Sequence, residues 1–358
     1  IPRYITVMTI FEQISHIMED SPFDLWSWAP LQRPFSIDFY KQWIDEGLHG
    51  DMSYLEKHQE FKESPQKFLP QARSALVFLR KYDPHPYSES YQESALRVAL
   101  YAQGADYHHW FKKEMQQTAE KLKELFPNEE FIALTDSSPV LERDLAFRAG
   151  LGWVGKNTCL LTRQQGSLFF IGELYSTLQN PTPLRDAPRD FCGTCTRCLD
   201  ICPTDAFIAP RKLDASLCIS YLTIESKEIP KSDLRPLIGD WFFGCDLCQT
   251  VCPWNQKSYG KEKMKFLSEA TLLKNPDHLI RDLRWVLTSS NKSLQKHFKG
   301  TALSRASGNQ LKRNALIVAT NCRAKELLPE IKNLLNHKYL DELAKWSINI
   351  LSDSECGE

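Results

Sequence analysis

The stretch Cys192–Pro203, CGTCTRCLDICP, holds four cysteines in the order Cys-x2-Cys-x2-Cys-x3-Cys and ends on a proline. A shorter copy, Cys245–Pro253 or CDLCQTVCP, repeats the last three cysteines and the proline, but Phe242 stands where the first cysteine would fall. Bacterial ferredoxins use this spacing for pairs of iron-sulfur clusters, and the fourth cysteine of a run ligates the other cluster. The spacing therefore predicts a ferredoxin-like domain with two 4Fe-4S clusters.

Cys218 lies between the two runs and can supply the thiolate that the second run lacks. Exchanging the last cysteine between the runs then gives each cluster four ligands. The predicted ligands are Cys192, Cys195, Cys198 and Cys252 for the first cluster and Cys202, Cys218, Cys245 and Cys248 for the second. A pair of structural zinc ribbons is the alternative, although zinc requires neither the third closely spaced cysteine nor Cys-Pro.

The composition is that of a globular protein with more than one domain. The chain has 358 residues, of which 42% are hydrophobic and 25% are charged, and this length predicts two or three domains. No run approaches the roughly 20 apolar residues that a membrane-spanning helix needs. Ile1–Asp20 has the pattern of neither a signal peptide nor a twin-arginine signal. We expect a cytoplasmic monomer without membrane contact, since a reducing compartment also suits the cysteines.

Residues 1–185 are predicted to form one domain of the α/β (α+β) class, because β-rich runs alternate with amphipathic helices. Buried strands are expected at Ala75–Leu79, Phe131–Thr135 and Leu168–Ile171, and a core helix at Phe111–Phe126. No Gly-x-Gly-x-x-Gly follows a strand, which argues against a nicotinamide site. Gly150-Leu-Gly152 is predicted to end a helix and begin a turn.

Asp136 is the candidate catalytic residue. The predicted strand runs directly into it, and Ser137 or Ser138 can then cap a helix that has Pro139 in its first turn. A carboxylate at the end of a strand and near a helix amino terminus lies where α/β folds bind ligands. An ordinary N-cap aspartate is the alternative, but the redox motifs downstream favour a proton donor.

The carboxyl-terminal third is locally basic, although the formal net charge of the chain is only -1. Residues 291–338 contain ten Lys or Arg and two Glu. Such an excess favours binding to a phosphate backbone, and a solvated helical face is the alternative.

Helices are predicted at Leu311–Asn321, Ala324–Asn336 and Leu340–Leu351, because apolar residues recur at three-four spacing with short gaps between the segments. This pattern suggests a HEAT-like pair. The predicted domains are therefore 1–185, 186–260 and 261–358.

Together the motifs resemble the epoxyqueuosine reductase family, which is related to reductive dehalogenases. The resemblance covers nearly the whole chain. It is carried by the ferredoxin run and by Asp136-Ser-Ser-Pro-Val-Leu-Glu-Arg143, Ala149–Asn157 (AGLGWVGKN), Cys218–Glu225 (CISYLTIE), Gly244–Gln249 (GCDLCQ), Cys252–Asn255 (CPWN) and Leu311–Asn314 (LKRN). Leu55–Pro65, LEKHQEFKESP, departs from the family pattern because it has no arginine, so no cofactor contact is inferred from it.

The resemblance implies a cobalamin-binding domain, a two-cluster ferredoxin-like domain and a helical tRNA-binding domain. It implies two-electron reduction of epoxyqueuosine to queuosine at the wobble position of tRNA, with Asp136 as proton donor and an unidentified low-potential electron donor. The implied neighbours of base-off cobalamin are Tyr101, Asp106, Tyr107, His108, Asp136, Ser137, Trp153, Lys156 and Asn157. Burial against the corrin face and apolar residues is expected to raise the pKa of Asp136.

Four basic residues are expected to position the tRNA through its phosphates, namely Lys299, Arg305, Lys312 and Arg313. Two other functions stay open at this point. A reductive dehalogenase would share the cofactors, but the twin-arginine signal is missing and the tail is basic. A ferredoxin-type electron carrier or adaptor would need no cobalamin.

Overall fold

The computed structural model describes residues 8–82, 94–180, 188–268 and 276–352. The α-helices are α1 Ile10–Glu19, α2 Ile37–Asp45, α3 Ser53–Lys57, α4 Gln59–Glu63, α5 Tyr107–Leu125, α6 Glu142–Arg148, α7 Arg197–Asp200, α8 Ile219–Ile224, α9 Leu247–Thr250, α10 Pro253–Tyr259, α11 Lys261–Ser268, α12 Pro276–Thr288, α13 Asn291–His297, α14 Gly308–Asn321, α15 Leu328–Lys332 and α16 Asp341–Ser352. The strands are β1 Leu25–Pro30, β2 Ser74–Lys81, β3 Arg97–Val98, β4 Phe131–Thr135, β5 Trp153–Val154, β6 Leu160–Leu161, β7 Phe169–Ser176, β8 Phe207–Ala209, β9 Lys212–Leu213 and β10 Trp241–Phe243.

The chain forms two compact units that are interleaved in sequence. The first unit comprises Ile1–Glu46, Ser53–Tyr82 and Tyr107–Thr194, and the second comprises Gly47–Met52, Asp83–Asp106 and Cys195–Glu358. This division does not coincide with the predicted boundaries at 185 and 260.

Two segments of the predicted first domain belong to the second unit because of their backbone pairing. Ala215 donates its N–H to the Leu48 carbonyl at 2.8 Å, and β3 pairs in parallel with β10. The three-domain division stays a prediction.

The first unit is built on a four-stranded sheet in the order β1-β2-β7-β4. Every neighbouring pair is antiparallel. Since β2 and β4 both run opposite to β7, they are parallel to each other, and α5 connects them in sequence as a split β-α-β unit. The unit is therefore α+β, the second of the two classes predicted for this domain, because β7 is inserted between the two parallel strands.

The predicted strands and core helix of the first unit are confirmed. Strand β4 has the predicted bounds, β2 extends beyond its prediction at both ends, β7 begins at Phe169 and extends to Ser176, and α5 covers most of the predicted core helix. Glycine at position 172 of β7 lets α5 approach closely, because a Cβ atom there would lie 2.6 Å from the Met115 sulfur. Strand β1 was not predicted.

Helix α6 ends as predicted but begins differently. Gly150 has φ +73°, and the Leu151 N–H donates to the Ala146 carbonyl at 3.0 Å, which is a Schellman C-cap. The predicted capping serine was wrong, because the helix begins at Glu142 after Leu141 and has no side-chain cap. Residues 136–140 form a turn instead, in which the Ser138 N–H donates to the Thr135 carbonyl at 2.9 Å.

The second unit has α14 at its centre. This helix packs against α8, α12, α13, α16 and β10, and most of its residues are buried. The predicted helices at 311–321 and 340–351 are present as α14 and α16, whereas the segment 324–336 holds only a 3-10 turn and the short α15. The HEAT-like pair stays a prediction. Within the described ranges, every helix is too short or too polar to cross a membrane.

Candidate functional site

Asp136 and His108 form the centre of the candidate site. Asp136 directly follows β4, and its Oδ2 lies 2.7 Å from Nε2 of His108 in the first turn of α5. The Tyr107 ring stacks on His108 at 4.1 Å and on Phe170 of β7 at 4.3 Å, which anchors the start of α5 to the sheet. The His108 side chain is 16% exposed and that of Asp136 is 41% exposed, and the burial of Asp136 against a corrin face stays a prediction. The pair can hold and move a proton at the protein surface.

The side chain of Glu142 accepts a hydrogen bond from the backbone of Asp136. The Asp136 N–H donates to Glu142 Oε1 at 2.5 Å. Burial and the negative charge of Asp136 raise the pKa of Glu142 to about 8, against the opposing effect of Lys62 and Arg143. Glu142 is therefore largely protonated near neutral pH, when its carboxyl can lie beside the Asp136 carboxylate without a second negative charge.

A second carboxyl is buried nearby without a hydrogen bond. Glu173 on β7 is completely buried, and neither of its carboxyl oxygens has a hydrogen-bond partner in the described part of the chain. Burial and the neighbouring Glu142 raise the pKa of Glu173 well above its usual value. Lys62 is 8% exposed and donates to the Val140 carbonyl at 3.3 Å, and burial lowers its pKa. Sequence reasoning missed this group; the only signal for it is a glutamate inside the apolar run FFIGELYS.

Trp153 and Lys156, two predicted cobalamin neighbours, make hydrogen bonds to the ferredoxin run. The Trp153 indole N–H donates to the Cys192 sulfur at 3.4 Å, and Lys156 Nζ donates to the Gly193 carbonyl at 2.7 Å. Asn157 is 3% exposed, and its Oδ1 accepts the Cys159 N–H at 3.3 Å.

The other predicted cobalamin neighbours are divided between the units. Ser137 is exposed beside Asp136. Tyr101 and Asp106 belong to the second unit. Tyr101 lies in a 3-10 turn where the Leu100 N–H donates to Asp246 Oδ2 at 2.6 Å, and the Asp106 N–H donates to the Gly300 carbonyl at 2.7 Å.

The eight predicted cluster ligands are all in the described part of the chain, and none forms a disulfide there. Cys192 belongs to the first unit and the other seven to the second. Burial raises the pKa of Cys218, and the nearby Cys202 raises it further. Burial also raises the pKa of Cys245, and Cys218 adds to that effect. Three of the four predicted ligands of the second cluster are thus close enough to interact, and thiolates are the ligands that iron-sulfur clusters take.

No group of three or more His, Cys, Asp or Glu within the described ranges is placed to hold a single metal ion. Asp246, adjacent to Cys245, is 3% exposed, and burial raises its pKa to about 6. Its carboxylate fixes the 3-10 turn of Tyr101 described above. Sequence reasoning did not identify this residue.

Arg313 was wrongly predicted to contact phosphate. The side chain is completely buried in α14. Its guanidinium donates to the carbonyls of Leu222 at 2.6 Å, Ser226 at 2.7 Å and Glu228 at 2.7 Å. The positive charge is thus used to hold the segment that follows α8, because these carbonyls need donors inside the unit.

The other three predicted phosphate contacts are partly or fully accessible. Lys299 is exposed, and Arg305 is exposed with an ion pair to Glu225 at 3.6 Å. Lys312 is half-buried, and burial lowers its pKa. Arg305 and Lys292 also line an open pocket of about 480 Å³ beside the start of α14.

Comparison with known proteins gives two family matches. Residues 62–137 match the model described as epoxyqueuosine reductase QueG, DUF1730. Residues 191–255 match the 4Fe-4S double cluster binding domain. The second match covers all the predicted cluster ligands.

Similar proteins extend these matches over most of the chain. The epoxyqueuosine reductase of Cyclobacterium marinum is 38% identical over 278 residues, which are 76% of this chain and 85% of that protein. A crystal structure of epoxyqueuosine reductase with a tRNA-Tyr epoxyqueuosine-modified tRNA stem loop has a TM-score of 0.78 at 23% identity, over 95% of this chain and 90% of that chain. The Bacillus subtilis enzyme with an aspartate catalytic loop swung out of its active site has a TM-score of 0.76 at 25% identity, with the same two coverages. The chain therefore belongs to the epoxyqueuosine reductase family of oxidoreductases.

Proposed function

We propose that this chain reduces epoxyqueuosine to queuosine at the wobble position of tRNA, with Asp136 as the proton donor. The observation that carries the assignment of Asp136 is its 2.7 Å contact with His108. Both residues lie within the segment 62–137 that matches the epoxyqueuosine reductase model. An acid held against an imidazole can be reprotonated after each turnover.

The proposed reaction determines how many electrons and protons must be supplied. Removing the epoxide oxygen to leave an alkene takes two electrons and two protons and releases water. Asp136 gives one proton to the departing oxygen, and the Nε2 of His108 returns a proton to the carboxylate. Protein side chains of this kind supply no electrons, whereas two 4Fe-4S clusters pass them one at a time. The ligand sets proposed for the clusters are the two groups of four cysteines given above.

Cobalamin is the proposed second cofactor, and when bound it supplies the low-potential metal centre that reduces the epoxide. In the first unit, Asp136 is exposed at the end of β4 and can face a ligand, and its partner His108 is held in place by the buried, stacked rings of Tyr107 and Phe170. The proposed contacts in the first unit are Tyr107, His108, Asp136, Ser137, Trp153, Lys156 and Asn157, and Tyr101 and Asp106 stay predictions from the resemblance.

The helical part, residues 261–358, is the proposed tRNA-binding domain with a HEAT-like pair. Lys299, Arg305 and Lys312 would contact phosphates, and Lys292 joins them because it lines the same cavity as Arg305. Such contacts position a nucleic acid without reading its sequence. We further propose that the chain acts as a cytoplasmic monomer and takes electrons from a low-potential donor, which size-exclusion chromatography and reduction by candidate ferredoxins or flavodoxins would test.

The decisive experiment is an anaerobic single turnover of epoxyqueuosine-containing tRNA by the cluster-loaded protein, with and without cobalamin. The nucleoside is read by mass, and loss of one oxygen only with cobalamin is the expected result. Asp136→Asn should lower the rate by roughly 100-fold or more, whereas Glu124→Gln, an exposed control on α5, should react like the wild type. A protein that binds both clusters but neither cobalamin nor tRNA would instead be an electron carrier.

A further inference from the structure

Helix α6 is firmly anchored in the first unit. Asp144 and Arg148 are 6% and 8% exposed and bond to each other at 2.6 Å. Asp144 also accepts the N–H and the hydroxyl of Ser36 at 2.8 and 2.9 Å. Arg148 donates to the Pro30 carbonyl at the end of β1 at 2.7 Å. These hydrogen bonds fix α6 in the first unit, so the side chains of its first two residues, Glu142 and Arg143, extend from a fixed backbone.

Glu142, the first residue of α6, holds Asp136 in an unfavourable backbone conformation. Asp136 has φ +24°, which is rare for a residue with a side chain and persists only where neighbouring groups enforce it. The hydrogen bond from its N–H to Glu142 Oε1 at 2.5 Å supplies that constraint. It fixes the backbone from which the carboxylate reaches His108.

Arg143, the second residue of α6, makes an equivalent contact to another turn. Its Nη1 donates to the Thr158 carbonyl at 2.5 Å, and Thr158 has φ +66°. The turn is closed by the Thr158 N–H on the Gly155 carbonyl at 2.9 Å. This turn, Gly155–Cys159, contains Asn157, one of the proposed cobalamin contacts.

We propose that Glu142 and Arg143 are positioning residues that set the separation between Asp136 and the turn Gly155–Cys159. The inference rests on the proposed function, because it makes α6 the common support of the proton donor and of a cofactor-binding turn. Neither side chain needs to touch the substrate. Each acts through the carbonyl or amide that it holds.

The charge of Glu142 gives this arrangement a pH dependence. The charged and titratable groups that act on it are Asp136 from the turn, Lys62 from α4, Glu173 from β7 and Arg143 from its own helix. Below about pH 8 the neutral carboxyl accepts the Asp136 N–H. Above that pH a carboxylate stands beside the Asp136 carboxylate, and their repulsion opposes the hydrogen bond from the Asp136 N–H, which by itself lowers the pKa of Glu142.

The first test compares Glu142→Ala with Glu142→Gln, which keeps an acceptor oxygen but does not ionise. Amide exchange of Asp136, followed in the cluster-loaded protein, should be at least about tenfold faster in Glu142→Ala, because a lost hydrogen bond to a charged or polar partner has that magnitude. The kcat should fall roughly 10- to 100-fold, while the KM for tRNA changes less than about twofold. Glu142→Gln should have a kcat well above that of Glu142→Ala and should lack the alkaline decline near pH 8.

Each outcome decides the matter. Wild-type exchange and turnover in Glu142→Ala would overturn the proposal. If Glu142→Ala does not fold, Glu142→Gln alone decides, since an alkaline decline identical to the wild type would also overturn it. If the wild type converts no tRNA, the proposed function fails, but the amide-exchange comparison still tests the positioning role.

The second test measures cobalamin affinity by absorbance titration. Arg143→Ala should weaken binding about tenfold, and Arg143→Lys should recover part of the loss because it keeps one donor. Lys121→Ala, an exposed substitution on α5, is the control. Equal affinities in Arg143→Ala and in the control would show that Arg143 does not position the turn.

Discussion

The proposed role of His108 rests on one interatomic distance, from its Nε2 to Oδ2 of Asp136. His108 shares a 2.7 Å hydrogen bond with Asp136, so its removal takes away the group proposed to return a proton to the carboxylate. His108→Phe should lower kcat about 10- to 100-fold, the size of a hydrogen bond to a charged group. The rate is measured by nucleoside mass under single-turnover conditions.

His109, the next residue on the same helix, is exposed and gives a matched control. His109→Phe should leave the rate within about twofold of wild type. Equal rates for the two variants would remove His108 from the mechanism.

Glu142 also predicts how the stability of the first unit depends on pH. Its pKa in the folded protein is about 8 against an ordinary value of 4.5, so the folded state binds more protons than the unfolded state between these values. The free energy of unfolding should therefore fall as pH rises from about 4.5 to about 8. Denaturant unfolding of the wild type and of Glu142→Gln should diverge over this range, with the variant less sensitive to pH. Parallel curves would contradict the raised pKa.

At the residue scale, the sequence predicted Asp136 but not its surroundings. Asp136 was found because a strand that ends in an acid is a local pattern. Glu173 was missed because a glutamate in a strand is ordinarily placed on the solvent face, and only the three-dimensional structure reveals that it is buried. The predicted phosphate contact of Arg313 was wrong for the opposite reason. Counting charged residues along a segment assumes that their side chains are exposed, but most residues of α14 are buried.

Helix α14 depends on Arg313 for its attachment to the segment after α8. Arg313→Ala would leave the carbonyls of Leu222, Ser226 and Glu228 without these donors and would open a cavity. We expect a loss of about 3 kcal/mol or more in the free energy of unfolding, measured by denaturant titration of the cluster-loaded protein.

The neighbouring Lys312 provides the comparison for this prediction. Lys312→Ala removes a half-buried side chain and should cost about 1 kcal/mol or less. Similar losses for Arg313→Ala and Lys312→Ala would mean that the buried hydrogen bonds contribute little.

At the element scale, the periodic segments were predicted well and their connections poorly. Strand β4 and helix α14 follow from apolar spacing alone. The antiparallel sheet does not, because the insertion of β7 between β2 and β4 depends on long-range pairing that no short window contains. The start of α6 was also predicted poorly. Residues 136–140 form a turn, so the helix begins at Glu142 and neither Ser137 nor Ser138 caps it.

At the scale of the whole molecule, the basic segment should determine how tRNA binding responds to salt. Lys299 is exposed, and losing one phosphate contact should reduce the slope of log K against log salt by about 0.7 to 0.9. Lys299→Ala should therefore flatten the salt dependence of tRNA binding, measured by fluorescence anisotropy. Lys121→Ala, outside the basic segment, should leave the slope as it is, and an unchanged slope in Lys299→Ala would exclude that contact.

The interleaving of the two units could not be read from the sequence, because the ferredoxin run looks like the start of a new domain. Strand β3 has only two residues and no apolar periodicity to indicate a distant partner. Its pairing with β10 joins residues roughly 140 positions apart in the sequence. The functional motifs, by contrast, are short and local, which is why the family was evident before the fold.

The pairing of β3 with β10 also has a consequence for synthesis on the ribosome. Arg97–Val98 emerges long before its parallel partner Trp241–Phe243, and the delay of roughly 140 residues corresponds to about 7 to 30 seconds of translation. During that interval β3 has no partner strand, because Tyr107–Thr194 of the first unit and the start of the next segment of the second unit are still being added. Folding of the second unit should therefore be completed late, only after Trp241–Phe243 has left the exit tunnel.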